Sequence, residues 1–113
     1  DLVQGIRLLM DAVPPAPGGE APAEGDSLSP VAPFRVVNIG NGDSVPLMDF
    51  IAAIETATGR RADRQMLPMQ PGDVPATWAD NSLLRRLTGY APRTSVEDGV
   101  RDYVAWFRGY YGG

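Results

Sequence analysis

The stretch FRVVNIGNGDSVPLMDFIAAIETATG, Phe34–Gly59, decides the predicted fold class because its apolar pattern changes partway along. The first seven residues, FRVVNIG, are rich in β-branched and aromatic side chains and end at a glycine-rich turn, which predicts a strand. The apolar residues after the turn recur at helical spacing and predict one buried stripe, formed by Leu47, Phe50, Ile51 and Ile54. We therefore expect a strand, a tight turn and a helix.

The ends of that helix carry recognisable signals. Ser44 or Asp43 is the candidate N-cap, and Pro46 is tolerated in the first helical turn. Gly59 follows the last helical residue, where a left-handed glycine often ends a helix.

Three further helices and a second strand are predicted outside this stretch. Apolar residues at helical spacing predict a helix over Asp1–Val13, begun by the Asp1 carboxylate and stopped by the prolines that follow. RQMLPM, Arg64–Met69, is a second strand candidate. The sequence thus predicts an α/β fold of four helices and two or three short strands.

The remaining two helices follow cap signals. Asp80 or Asn81 begins a short leucine-rich helix that Gly89 closes. TSVE, Thr94–Glu97, matches a capping box and begins the last helix, which we expect to fray in GYYGG.

The segment Pro14–Pro33 differs in composition from the rest of the chain. It consists mainly of proline, glycine, alanine and acidic residues and has almost no large apolar side chain to bury. We expect a long mobile loop inside a single domain covering residues 1–113. A tolerated surface insertion is favoured over a proline-rich recognition motif.

Composition excludes several classes of function. The net charge is -4, cysteine and histidine are absent, and no apolar run reaches the ~20 residues of a membrane-spanning helix. Disulfides, thiolate chemistry, imidazole bases and the usual zinc sites are therefore excluded. We expect no nucleic-acid partner, since there is no basic stripe, and no membrane partner. No export signal opens the chain, so we expect a cytoplasmic protein.

Three motifs that suggest chemistry have simpler structural interpretations. GNGDS, Gly40–Ser44, lacks the third glycine of a dinucleotide fingerprint, and Asp43 would repel a phosphate, so a plain turn is favoured. Glu97, Asp98 and Asp102 are explained by helix capping and the helix dipole. The aromatic residues near the C-terminus fit packing better than a stacking platform.

The stretch MLPMQPGDVPATWAD, Met66–Asp80, leaves two interpretations open. Pro71 and Gly72 set a turn that holds Asp73 beside backbone N–H groups. A carboxylate placed there accepts hydrogen bonds from two sugar hydroxyls, or it serves only as a turn residue.

Four stretches of this chain resemble a known family. They are DLVQGI (1–6), VVNIGNGDSVPLMDFIAAIETATGR (36–60), MLPMQPGDVPATWAD (66–80) and GYAPRTSVEDGVRDYVAWFRGYY (89–111). In this order and spacing they are similar to the C-terminal part of the extended short-chain dehydrogenase/reductases that act on nucleotide sugars. Within that family they most resemble the UDP-glucuronate 4-epimerases, often labelled capsular polysaccharide biosynthesis proteins.

The resemblance implies a substrate-binding lobe whose NAD-binding Rossmann domain lies outside this chain. The Rossmann domain of such enzymes supplies a Tyr-x-x-x-Lys pair, and no lysine occurs here. NAD is thus the cofactor of full-length relatives and is not expected to bind this chain, which we expect to be inactive alone.

The resemblance also implies roles for two loop residues and none in catalysis. Asp73 matches the aspartate that accepts hydrogen bonds from the ribose of the UDP-sugar. Gln70 stands where related galactose epimerases carry an arginine against the diphosphate, which leaves it a weaker polar contact. Asp80 is expected to be a helix cap.

A second hypothesis is a self-standing interaction or assembly module without catalysis. Its support is that the predicted apolar stripes are richer than this chain can cover. The resemblance separately implies an exposed apolar face where the Rossmann domain would pack, and we expect the chain to self-associate or exchange elements between copies through it. An upstream reading frame with a glycine-rich fingerprint and Tyr-x-x-x-Lys would favour the epimerase.

Overall fold

The computed structural model describes residues 1–19 and 21–112, which form an all-α structure. The helices are α1 (Leu2–Leu9), α2 (Leu47–Thr58), α3 (Ser82–Thr88) and α4 (Val96–Tyr111). The predicted number of helices is confirmed. No strand occurs among the residues described, so the predicted α/β class is wrong.

Neither predicted strand has a neighbouring strand to pair with. In the stretch 34–40, the Phe34 carbonyl accepts a hydrogen bond from Ser29 N at 2.8 Å, and Val36 N donates to Ser27 Oγ at 3.0 Å. Local turns and a serine hydroxyl thus satisfy backbone groups that a ladder would otherwise use. The stretch 64–69 is exposed along its whole length. Strand propensity alone forms no sheet, because a strand needs a partner.

The chain divides into two compact units. The first consists of Asp1–Asp43 and Trp78–Arg93, and the second of Ser44–Thr77 and the residues from Thr94 onward. The two strand candidates fall in different units.

In the first unit, α1 packs against α3. Gly5 is buried in α1, and a Cβ at its position would lie 2.9 Å from Ile39 Cγ2. The missing side chain therefore permits the close approach of the stretch that carries Ile39. Leu83 and Leu84 of α3 are buried.

Helix α1 is shorter than the predicted Asp1–Val13. Asp1 occupies the N-cap position, but its side chain makes no capping hydrogen bond. Its carboxylate instead accepts hydrogen bonds from Tyr90 Oη at 2.7 Å and Arg93 N at 3.2 Å. Asp1 thus ties the start of the chain to the end of the first unit.

The proline-rich segment is anchored at its C-terminal side. Arg35 donates to both carboxylate oxygens of Asp26, at 2.8 and 3.0 Å, and both side chains are mostly buried. Arg86 Nη2 donates to the Gly25 carbonyl at 3.0 Å. The hydrogen bond from Arg35 lowers the pKa of the Asp26 carboxyl, and the Leu28 backbone N–H acts in the same direction.

In the second unit, α2 packs against α4, but the predicted stripe of α2 is not buried. Leu47 is 70% exposed and Phe50 is 42% exposed, whereas Ala53 is buried. Helix α2 therefore buries a narrower face against α4 than its sequence pattern offers, and the large side chains of the stripe stay partly exposed.

Helix ends follow the predicted signals only in part. Gly59 and Gly89 close α2 and α3 in the left-handed conformation, as predicted. Pro46, not Ser44 or Asp43, is the N-cap of α2. The capping signal before α4 is shifted by one residue: Ser95 is the N-cap, and its side chain accepts a hydrogen bond from Asp98 N at 3.0 Å.

Helix α4 also runs further than expected. It continues through Tyr111 and ends at Gly112 in the left-handed conformation, so fraying within GYYGG is not seen among its described residues.

Candidate functional site

The turn predicted in the loop after α2 is present. Asp73 N donates to the Gln70 carbonyl at 3.2 Å, and Gly72 has φ = 94°. Pro71 precedes that glycine, which is the residue order of a type II turn. The turn lies within the second unit and holds Gln70 and Asp73 at its two ends.

Both predicted ligand residues are exposed. Gln70 Nε2 donates to the Pro68 carbonyl at 3.5 Å, which is a weak contact. Within the described part of the chain, no hydrogen bond or ion pair engages the Asp73 carboxylate. An ionised carboxylate accepts up to about four hydrogen bonds. Its oxygens can therefore accept from two neighbouring hydroxyl groups of a ligand.

Asp80 is not the N-cap of α3 that the resemblance implied, but its side chain accepts a hydrogen bond at the start of that helix. Its Oδ1 accepts a hydrogen bond from Ser82 N at 2.9 Å, at the start of α3. This backbone hydrogen bond is the main cause that lowers the pKa of Asp80. Asn81 occupies the N-cap position itself, and its side-chain amide donates to the Gly40 carbonyl at 3.1 Å.

The glycine-rich stretch is occupied by protein contacts. A Cβ at Gly40 would lie 2.7 Å from Ala79 Cβ, and one at Gly42 would lie 3.7 Å from Asn81 Nδ2. The glycines thus admit the residues that lead into α3. A dinucleotide loop instead presents its glycines and a helix N-terminus to the diphosphate. These residues do not fit the diphosphate of NAD.

The carboxylates at the start of α4 are arranged for helix stability. Asp98 Oδ1 lies 2.6 Å from Arg101 Nη1, and Asp102 Oδ1 lies 3.3 Å from Arg101 Nη2. The hydrogen bond from Arg101 lowers the pKa of Asp98. A general acid needs the opposite shift, so the arrangement does not favour acid catalysis.

The described part of the chain carries neither a metal-binding cluster nor a membrane-spanning helix. No group of three or more His, Cys, Asp or Glu side chains there is placed to hold a metal ion. In the same ranges, 1–19 and 21–112, no helix is long and apolar enough to cross a bilayer.

An aromatic stripe follows the last three turns of α4. Its members are all exposed and contact one another: Tyr103, Trp106, Phe107, Tyr110 and Tyr111. Trp106 stacks on Tyr110 with ring centroids 5.5 Å apart, and Phe107 lies 4.8 Å from Tyr111. The rings pack mainly against each other, which leaves a broad apolar surface.

Beside this stripe, an open groove of about 1070 Å³ runs between α2 and α4. Its apolar lining includes Phe50, Ile54, Val100, Tyr103, Val104 and Phe107. Arg60 and Arg108 also line it, and Arg108 Nη2 donates to the Thr58 carbonyl at 2.6 Å. Sequence reasoning did not find this groove. The sequence did contain a signal for it: α2 and α4 each carry more apolar positions than their packing against each other can cover.

Comparison with known proteins shows strong similarity over nearly the whole chain. The chain is 43% identical over 111 residues to the "Uncharacterized 37.6 kDa protein in cld 5'region" of Escherichia coli O111:H-. The match covers 98% of this chain and 33% of that protein. The chain is 49% identical over 108 residues to the "Probable UDP-glucuronate 4-epimerase" of Rhizobium meliloti, covering 95% of this chain and 32% of that protein.

A third relative is "Protein CapI" of Staphylococcus aureus, which is 40% identical over 112 residues, covering 98% of this chain and 33% of that protein. The chain therefore spans about a third of the length of these curated relatives. No family model matches it.

Proposed function

Because this chain matches the C-terminal part of the UDP-glucuronate 4-epimerase and CapI-like proteins, we propose that it is the substrate-binding portion of an NAD-dependent UDP-sugar 4-epimerase. The proposed reaction interconverts UDP-glucuronate and UDP-galacturonate in the cytoplasm, during bacterial surface polysaccharide biosynthesis. The observation that carries the proposal is the 49% identity to the Rhizobium meliloti protein over 95% of the chain.

In this proposal Asp73 binds the ribose of the UDP group. Its carboxylate is exposed at the end of the turn, and the hydrogen bond from Asp73 N to the Gln70 carbonyl fixes its backbone. Ribose carries two neighbouring hydroxyl groups, and each can donate a hydrogen bond to one of the two oxygens of a single carboxylate. Such charge-assisted hydrogen bonds are stronger than those between neutral groups.

Gln70 lies at the opposite end of the same turn and is proposed as a polar contact near the diphosphate. A side-chain amide carries two N–H donors but no charge. Its contribution to binding should therefore be smaller than that of an arginine, which donates as a bidentate cation.

NAD, when bound to the complete enzyme, supplies the hydride acceptor and donor for the reaction at the sugar C4. The residues described here do not fit that cofactor, since Gly40 and Gly42 admit neighbouring protein atoms and the chain has no lysine. The proposed role of this chain is confined to binding the nucleotide sugar. We expect the isolated chain to show no turnover and only very weak UDP binding, and micromolar affinity for UDP-glucuronate in calorimetry would contradict this.

A chimera tests the proposal directly. Residues 1–113 would replace the matching C-terminal third of the Rhizobium meliloti protein, and formation of UDP-galacturonate would be followed by chromatography. We expect activity in the chimera. In Asp73→Ala, the KM for UDP-glucuronate should rise about tenfold or more, because hydrogen bonds to a charged group are worth about 1.5–3 kcal/mol.

The matched control is Asp63→Ala, which removes an exposed carboxylate from the same unit. Its KM should remain that of the parent chimera. Equal effects of the two substitutions would refute the role of Asp73. A folded but inactive chimera would count against the proposed function.

A further inference from the structure

We propose that Glu55, near the end of α2, is a positioning residue for the loop of residues 60–77. By holding the start of this loop, it places Asp73 where the ribose of the nucleotide sugar binds. The inference rests on the proposed function, since the ribose contact of Asp73 is part of it. Glu55 itself touches no substrate and acts only through Asp73.

The loop has few contacts of its own to hold it in place. Each residue from 59 to 78 is exposed, and this described stretch contains no helix or strand. Asp73 N donates to the Gln70 carbonyl, and Gln70 Nε2 donates to the Pro68 carbonyl. Both hydrogen bonds join residues of the loop to each other. They fix the shape of the turn, but its position relative to α2 needs a contact outside the loop.

The Glu55 carboxylate provides that contact with both of its oxygens. Oε1 accepts a hydrogen bond from Ala62 N at 2.9 Å, and Oε2 accepts one from Arg64 Nη2 at 2.8 Å. The chain leaves α2 at Gly59, which has φ = 71°. Glu55 therefore holds one backbone group and one side chain of the loop just after the chain has turned away from the helix.

Stability of the fold alone does not account for this arrangement. The Glu55 side chain is 19% exposed and that of Arg64 is 40% exposed, and such partly exposed ion pairs contribute little to folding. The loop that they hold buries no side chain. The Ala62 N–H first, and then the Arg64 guanidinium, lower the pKa of Glu55. The carboxylate is thus ionised at neutral pH and can accept from both donors.

The distance along the chain from this contact to the turn is short. Only Gln65–Met69 lie between Arg64 and the turn that begins at Gln70. Pro68, within this stretch, has a fixed φ angle, which reduces the number of directions that the stretch can take. Without the contact to Glu55, more of the loop would have to become ordered when the sugar binds, and this loss of conformational freedom opposes binding.

A double-mutant cycle in the chimera tests whether Glu55 acts through Asp73. Glu55→Ala should raise the KM for UDP-glucuronate about fivefold and leave kcat within about twofold, because only loop ordering is lost. In the Asp73→Ala background, the same substitution should raise KM less than about twofold, since the residue it positions is gone. A purely structural role would give equal effects in both backgrounds.

Two further variants serve as controls for the cycle. Glu55→Gln keeps a side-chain oxygen for Ala62 N, so its KM should stay within about twofold of the parent chimera. Ser95→Ala destabilises the same unit by removing the cap of α4, but it leaves the contacts of the loop intact. Its KM should equal that of the parent. A rise in Ser95→Ala as large as in Glu55→Ala would overturn the inference.

Nuclear magnetic resonance relaxation of the 113-residue chain measures the positioning without any turnover. In Glu55→Ala, the order parameters of the Ala62 and Asp73 N–H groups should fall below about 0.6, the range of flexible backbone. They should stay above it in the parent chain and in Ser95→Ala. An Asp73 N–H that is equally ordered with and without Glu55 would overturn the inference.

The two experiments separate this inference from the proposed function. Loss of order in Glu55→Ala together with a folded but inactive chimera would support the contact between Glu55 and the loop and count against the enzyme. An active chimera whose KM rises equally in both Asp73 backgrounds would support the enzyme and overturn the positioning role of Glu55.

Discussion

Gly40 is glycine because of the atoms packed against it, and not because of the glycine-rich motif to which it belongs. It belongs to a glycine-rich stretch before a helix, which suggests phosphate binding. In the structure, the place of its missing side chain is taken by Ala79, and its carbonyl accepts a hydrogen bond from Asn81. The glycine is required by packing within the first unit.

Gly40→Ala should therefore destabilise the chain by about 1–3 kcal/mol, the usual cost of overpacking. The added Cβ would lie 2.7 Å from Ala79 Cβ, so one of the two backbone segments must move. Urea unfolding followed by circular dichroism measures the change. The control Gly109→Ala, in α4 with no atom within 4 Å of the new Cβ, should instead stabilise by up to about 1 kcal/mol. A neutral Gly40→Ala would contradict the packing account.

The pair of Asp26 and Arg35 predicts how stability depends on pH. Arg35 lowers the pKa of Asp26 below its ordinary value of 3.8 in the folded chain. The pair therefore stabilises the fold above about pH 3.8, and this contribution is lost as the pH falls through the lower, folded pKa. Asp26→Asn should lower the melting temperature at pH 7 and flatten its decline below pH 4. Arg35→Gln should do the same. An unchanged acid profile in both variants would show that the pair does not stabilise the fold.

At the scale of the element, the sequence predicted the positions and C-terminal ends of helices better than their N-terminal ends. Gly59 and Gly89 close their helices as predicted, because a left-handed residue is required locally and glycine adopts it without strain. N-caps are harder to assign, since several polar residues stand in a row before α2 and α4. Only the hydrogen bond decides among them, and for α4 it selects Ser95.

Ser95→Ala should cost about 1 kcal/mol of stability, because it removes the side-chain acceptor for Asp98 N. Ser44→Ala is the matched control. Ser44 was a predicted cap of α2, but the cap is Pro46, so its loss should change stability by less than about 0.5 kcal/mol. Thermal unfolding of both variants separates the two positions. A larger effect at Ser44 would mean that the capping assignment is wrong.

The predicted strands failed for a reason that also belongs to this scale. FRVVNIG has the composition of a strand, but the Ser27 side chain and the turn at Ser29 take backbone hydrogen bonds in this region. A strand-like composition shows only that the side chains would fit a sheet. It does not supply the neighbouring strand.

For the whole molecule, exposed apolar surface is the dominant property. The accessible area of 8923 Å² is well above the roughly 6000 Å² typical of a folded protein of 12.1 kDa. The fully buried large side chain in the described chain is Leu84. The exposed apolar face that the sequence predicted is thus confirmed, whereas self-association through it stays a prediction.

This surface predicts a shallow unfolding transition. The urea m-value scales with the area newly exposed on unfolding, and this chain buries less of its surface on folding than a compact protein of the same mass. We expect an m-value at or below about 1 kcal/mol per molar urea, measured by circular dichroism at concentrations too low for self-association. A value near 2 kcal/mol per molar would show that the dilute chain buries much more surface than the structure indicates.

Sequence by itself determined the local features: four helices, two glycine caps, the Gln70–Asp73 turn, and the resemblance that the comparisons support. Each depends on residues close together in the chain, whose propensities act without distant partners. Tertiary structure alone decided that the strand-like stretches form no sheet, that Gly40 is packed against Ala79, and that α2 and α4 leave a groove with one basic end. These depend on which distant segments meet, and that is set by the packing of apolar faces and the pairing of backbone groups across the fold.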